Sequence, residues 1–318
     1  MKILRFSLLA LWWMLVMNSC QKVEKIEMAG NISPKITANC VAIDGETFVF
    51  HITKSLSALD NAKIKPLKNA SIELSDDKGS KEIIKWDVDN EAYLSQNMIA
   101  EAGKTYSVKI TAPGLPVVTS QTIIPNSVNL TPLDFTVKGK INTTWSGGGS
   151  GGSYTYCESA SISITLADNP NEKNNYAIEL ESVFASGPSS NFSYYWDWSC
   201  LYPGLERVYG YDVFRGYGNI RFYLKDEQFN GKNIKLNFNA ASPYGSMFLG
   251  NETDSIIGYN VMIKNMTDDL YLHWNSIDKA QETEGNPFEE PVQIYHNMKG
   301  GYGIFGGFNE NKVFLPLK

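Results

Sequence analysis

The chain has 318 residues, of which 43% are hydrophobic and 12% aromatic, and its 34 acidic and 28 basic side chains give a formal net charge of −6. That balance disfavours nucleic acid and anionic lipid surfaces as partners, since both are held through clustered Lys and Arg. With 26 Gly, 13 Pro and a polar remainder rich in Asn, Ser and Thr, the composition favours turns and short strands over long helices.

Lys2 and Arg5 precede the apolar run FSLLALWWMLVM, which is too short for a comfortable membrane span, and Asn18 and Ser19 lead into Cys20. Residues 1–19 therefore read as an export signal. The stretch VMNSC is similar to a bacterial lipobox, in which the cysteine sulfur is lipidated and cleavage falls just before it. An ordinary signal peptide with a chance cysteine is the plainer alternative. A lipid on Cys20, palmitate or a similar chain, would hold the protein on a membrane without crossing it, each buried methylene contributing about 0.8 kcal/mol. Residues 20–33 then form a polar tether, and Pro34 opens the folded part.

From Pro34 the hydrophobic period becomes two. KITANCVAID and ETFVFHITKS flank Gly45 as a hairpin, with Phe48, Phe50 and Ile52 on one face. NASIELSDD, SKEIIKWDV, EAYLSQ, KTYSVKITAPG and PVVTSQTIIP follow as further strands. About seven short strands in this span predict a β-sandwich of immunoglobulin-like size over 34–125, although the cysteine and tryptophan pattern of antibody domains is missing. A second β domain, a larger antiparallel sandwich or barrel, is expected over 126–318. SGGGSGGS lies inside it, within a strand connection and not between domains. The fold class is thus all-β with one helix over about 267–284: Thr267 is a good N-cap, Asp268 and Asp269 suit the first turn, and Leu270, Trp274 and Ile277 share a face.

Chemistry-bearing motifs are few. Cys40, Cys157 and Cys200 show no C-x-x-C spacing; Cys157 and Cys200 either form a bridge or stay as buried thiols, and Cys40 reads as a small hydrophobe. His51, His273 and His296 lack metal-ligand spacing, and no G-x-S-x-G elbow or calcium loop is present. The adjacent pairs Asp268/Asp269 and Glu289/Glu290 read as a helix start and a solvated turn. No metal, cofactor or catalytic residue is expected, and the chain is not expected to be an enzyme.

Two segments draw attention. Gly301, Gly303 and Gly306 fall on the spacing of a dinucleotide fingerprint, but only FNENKVFLPLK follows, too little for the required helix and strand, so the glycines suit a crowded strand instead. In NFSYYWDWSCLYPGLERVYGYDVFRGYG, the side chains Tyr194, Tyr195, Trp196, Trp198 and Tyr202 suggest a binding platform, weighed against packing in the domain's own core. Arg207 and Arg215 could meet an anionic ligand or local carboxylates.

The strings ITANCVAIDGETFVFHITKSLSALD, GKTYSVKITAPGLPVVTSQTIIP, FNGKNIKLNF and above all NPFEEPVQIYHNMKGGYGIFGGF resemble the successive signatures of the domain of unknown function 4249 family, a family of exported lipoproteins of Bacteroidetes. The resemblance implies an outer-membrane lipoprotein facing the cell exterior, of a kind associated with TonB-dependent transporters in nutrient uptake. The expected partners are the outer membrane through the lipid, a TonB-dependent transporter, and a peptide, glycan or other nutrient ligand. A surface adhesion or structural module without a ligand pocket is the alternative, with a hydrolase a distant third.

Overall fold

The computed structural model describes residues 33–57, 62–145, 152–188, 198–212, 217–241, 247–251, 254–283, 290 and 292–318. The residues expected to form the signal and the tether, Cys20, Tyr194, Tyr195, Trp196, Arg215 and most of the Gly/Ser tract lie outside them.

The first half forms β1 (Ile36–Ile43), β2 (Thr47–Lys54), β3 (Ser71–Asp76), β4 (Lys81–Asp87), β5 (Ala92–Ile99), β6 (Thr105–Thr111) and β7 (Val118–Ile123). Alternation drives these strands. In β2, Phe48, Phe50 and Ile52 are buried while the residues between them are not, and Gly45, at φ +80°, closes the turn back to β1.

The second half continues with β8 (Asn129–Lys138), β9 (Ile141–Trp145), β10 (Gly152–Cys157), β11 (Ser159–Ala167), β12 (Asn175–Phe184), β13 (Gly187–Pro188) and β14 (Trp198–Cys200). It is completed by β15 (Glu206–Asp212), β16 (Tyr217–Lys225), β17 (Asn233–Ala241), β18 (Met247–Asn251), β19 (Ile256–Met266), α1 (Asp268–Glu282) and β20 (Tyr302–Pro316). β9 and β10 pair directly, Trp145 opposite Gly152, so the Gly/Ser tract joins the two strands of a hairpin. The α1 start is capped as its residues suggest: the Leu270 amide donates to Thr267 Oγ1 at 3.2 Å.

One 13-stranded sheet runs in the order β15-β16-β12-β19-β20-β1-β2-β5-β4-β3-β6-β7, with β13 beside β12. Smaller sheets, β18-β10-β9 and β14-β17-β11-β8, complete the fold. The alternating inward faces of β11 and β17 share a core with β12, β16 and β19 through residues such as Ile162, Ile164, Phe238, Ile178, Phe222 and Val261. A separate core lies among the first seven strands, and a smaller cluster joins α1 to β20 through Leu270, Ile304 and Phe308.

The fold is all-β with a single α-helix among the described residues, but the second half is not purely antiparallel. β20 pairs in parallel with β1, Thr37 opposite Tyr302 through Ile43 opposite Phe308, and then antiparallel with β19, Met266 opposite Phe308 through Gly258 opposite Pro316. The division expected at Pro125 falls in the connection between β7 and β8, yet Met298 and Phe305 return to the first half's core. Sequence order therefore does not separate the two halves of the sheet.

Candidate functional site

The segment just before β20 is held on two sides. Toward α1, Tyr295 OH donates to Asp269, the Tyr295 amide donates to Ser276 Oγ at 2.9 Å, and His273 Nδ1 meets the Tyr295 carbonyl at 2.6 Å. Asn297 donates to Asp269 Oδ2 at 3.0 Å and to the Phe305 carbonyl at 2.8 Å, and accepts from the Phe305 amide at 2.9 Å. Toward β7, Ser120 Oγ donates to the Asn297 carbonyl at 3.1 Å, while Thr119 and Lys299 exchange both main-chain bonds, at 3.1 and 2.9 Å. The Tyr295 hydroxyl is pushed up to about 12, first by burial and then by the Asp269 carboxylate that accepts its proton.

The glycines make this close approach workable. At Gly303, φ is +104°, and an added Cβ would be driven into the Ala38 carbonyl of β1; at Gly301 it would meet the Ile36 carbonyl, and at Gly306 the Leu270 side chain of α1. The spacing that mimics a dinucleotide fingerprint is thus the footprint of a strand pressed between another backbone and a helix.

Between this segment and the outer face of β3, β6 and β7 runs a groove of about 920 Å³. Its floor is polar: Glu73 and Ser75 from β3, Ser107 and Lys109 from β6, Thr119 and Gln121 from β7. A second groove of about 740 Å³ shares Gln121 and Asp269 with the first and runs along β7 toward Asn126 and Lys173. Of the carboxylates bordering the first groove, Glu73 is paired with Lys81 at 2.7 Å, which holds its carboxyl below the usual range, and Asp269 is engaged by Tyr295 and Asn297. Lys299 makes no ion pair among the described residues, Lys109 stands opposite Glu73, and the Lys35 ammonium lies 5.1 Å from the centre of the Tyr302 ring, which is T-shaped to His296 with ring centres 5.5 Å apart. The groove therefore presents Lys299 without an ion pair among the described residues and Lys109 facing the Glu73 carboxylate across the ladder, in a chain whose net charge is negative.

A buried charge network underlies α1. Arg221 Nε donates to Glu179 at 2.8 Å and its terminal nitrogen to Asp278 at 3.2 Å; Lys264 donates to Glu179 at 2.8 Å, and Tyr223 OH to Asp278 at 2.6 Å. The Arg221 guanidinium sits 4.8 Å from the Trp274 ring centre. Burial alone would raise Glu179, but Lys264 and Arg221 override it and hold the carboxyl at about 2; Asp278, where burial outweighs the attraction of Arg221, is raised. Through these bonds the network fastens α1 to β12, β16 and β19.

The sequence-predicted residues are distributed as follows. Trp198 is 4% exposed and packs edge-on to Tyr259 at 5.2 Å, and Tyr202 meets Phe229 at 6.1 Å beside the same core. Trp198 belongs to core packing and Tyr202 is partly buried against the same core; the remaining platform residues lie outside the described part. Cys157 and Cys200 stand as free thiols and no bridge joins them, with burial pushing Cys157 up to about 11 and Cys200 upward. Cys40 is a buried thiol in the first core. Asp268 pairs with Lys173 at 2.9 Å at the helix start, His51 is exposed on β2, and His273 is held by α1 against Tyr295. Among the described residues no group of three or more His, Cys, Asp or Glu is placed to hold a metal ion.

Residues 23–313 match the model of the family described as Domain of unknown function (DUF4249), and the chain belongs to that family. No curated protein matches it. Among solved structures, the B domain of a biofilm associated protein aligns over 87% of this chain and 85% of its own, at 7% identity and a TM-score of 0.15, a likeness too slight to carry an argument.

Proposed function

We propose that this is a non-catalytic, lipid-anchored protein of the outer cell surface that captures a nutrient ligand and serves a TonB-dependent outer-membrane transporter. The observation that carries the capture role is the groove beside β7, about 920 Å³ in volume, walled on one side by a segment fastened to both α1 and β7. A wall fixed by so many hydrogen bonds is pre-organised, and a ligand entering it forfeits little ordering entropy of the protein. The lipobox-like ending at Cys20 supports the anchor, and the tether over 20–33 would hold the folded part close to the membrane.

Two measurements on native membranes test the reading. Mass spectrometry of the extracted protein is expected to find an N-terminal acylated Cys20, and Cys20→Ser is expected to move the protein to the soluble fraction. Affinity capture of the intact lipoprotein from detergent-solubilised outer membrane is expected to retain a TonB-dependent transporter. An unmodified N-terminus overturns the anchor, and capture of adhesins without any transporter overturns the uptake role in favour of adhesion.

A further inference from the structure

We propose that the open edge of β7 takes an acidic peptide in extended conformation, which adds as a short strand under the lysines of the groove. This rests on the capture function proposed above and names its ligand.

The main-chain geometry comes first. β7 is the last strand of the 13-stranded sheet, and its only ladder among the described residues is with β6, Ile123 opposite Thr105 through Val118 opposite Ile110, without a bulge. Thr119 directs both its N–H and its C=O away from β6, since both bond to Lys299. In an antiparallel ladder these groups alternate sides with a period of two, so Gln121 also turns its N–H and C=O away from β6. The covering segment does not reach them. At Asn297 it turns aside, its amide donating to the Gly303 carbonyl at 3.3 Å and its side chain to Phe305. The outward groups of Gln121 have no partner among the described residues, and Gln121 borders both grooves. An unpaired strand edge opening on a preformed groove is the geometry by which extended peptides are recognised.

Charge selects which peptide. Lys109 stands between Thr119 of β7 and Glu73 of β3, whose carboxylate it helps to lower, while Lys299 is bridged to Thr119 and has no ion-pair partner among the described residues. Lysines beside an open edge discourage pairing with neutral or basic strands. For an acidic strand the Lys299 charge attracts, and of the neighbouring carboxylates Asp269 is engaged by Tyr295 and Asn297 while Glu73 is shared between Lys81 and Lys109. Main-chain pairing at Gln121 favours a peptide over an acidic glycan, which shares the charge and lacks the amide ladder.

The test uses the full chain in detergent micelles and a fluorescein-labelled ten-residue peptide of alternating Glu and Thr, read by anisotropy. Saturable binding is expected, with none for the matching Lys–Thr peptide. The double variant Lys109→Glu, Lys299→Glu is expected to weaken binding at least about tenfold, and raising salt from about 50 to 500 mM to do likewise. Gln121→Pro removes the outward N–H while leaving the β6 ladder intact, a position where an edge strand tolerates proline. It is expected to abolish binding with Tm nearly unchanged. Binding that survives Gln121→Pro overturns strand addition, and polygalacturonate competing as well as unlabelled peptide reassigns the groove to acidic glycans. Absence of any peptide binding overturns the proposal and leaves the acylation and transporter-capture results standing on their own.

Discussion

β20 is one strand with two unlike halves. Residues 302–308 lie between β1 and α1 and are buried almost without interruption, with Gly303, Gly306 and Gly307 leaving room for the backbone and side chains that crowd them. Residues 309–316 return to alternation, with exposed Glu310 and Phe314 between more buried neighbours, and they border charges: Lys312 pairs with Glu181 at 2.9 Å, and Lys264, opposite Glu310, pairs with Glu179. The first half is fixed by close apolar contact and the second by a ladder plus salt bridges. What changes along the strand is the number of covered faces, two and then one, and composition follows that number.

The sharpest way to break the first half is Phe305→Ala. Phe305 is fully buried, with ring centres 5.5 Å from Phe50 and 6.3 Å from Phe48, and it is the residue by which the C-terminal strand enters the first half's core. The expected loss is about 3–5 kcal/mol, read by urea denaturation, because glycines and β-strand backbone around the site cannot collapse into the space. A loss below about 1 kcal/mol would show that this half is not the join between the two cores.

These two halves were unequally legible in the sequence. The alternation of β2, β11 and β17 and the Thr267 cap are local patterns and identify their elements directly. The glycine-rich run announced crowding, since a side chain is omitted where another backbone comes near, but not which backbone. The parallel partner β1 lies some 265 residues away in the Asn39 to Ile304 contact, and no local period encodes so distant a pairing. The buried charges were equally hidden: Glu179, Arg221, Lys264 and Asp278 each look like a surface residue in its own stretch, and only the strand order β16-β12-β19 with α1 above brings them together. Trp198 misled because aromatic density marks cores and interfaces alike; the Tyr259 contact that decides it comes from a distant strand. The groove left a partial trace, for the family strings contain its wall and the β6 and β7 part of its floor but not Glu73 and Ser75 of β3.

Glu179→Gln probes the charged neighbourhood of the second half. Removing one charge leaves Arg221 and Lys264 buried and under-compensated, for an expected cost of about 3 kcal/mol at neutral pH. The pH dependence has a definite sign. The Glu179 carboxyl is lowered from 4.5 to about 2 in the folded state, so its contribution is fully present above about pH 4.5 and is lost as pH falls toward 2. Asp278 is raised, so the folded state takes up its proton more readily than the unfolded chain and partly offsets that loss in acid. The wild-type protein is therefore expected to lose stability between about pH 4.5 and 2 more steeply than Glu179→Gln, as followed by thermal melting across pH. Parallel acid profiles for the two proteins would place the acid sensitivity elsewhere.

Phe314→Ala should have the smallest effect, and it completes the comparison because it repeats the Phe305 change nine positions along the same strand. Phe314 is 45% exposed, so truncating it removes far less buried area than at Phe305, which is 0% exposed. It is not idle, however. Phe314 stands opposite Asn260, and its ring reaches diagonally over Gly258, where an added Cβ would strike it. Such a ring shields a backbone that glycine leaves bare, a cross-strand contact worth about 0.5–1 kcal/mol. The expected cost of Phe314→Ala is thus about 0.5–1 kcal/mol by urea denaturation, several-fold below that of Phe305→Ala. Equal losses at the two positions would mean that another surface covers the outer face of the second half as α1 covers the first, and the distinction between two covered faces and one would fall.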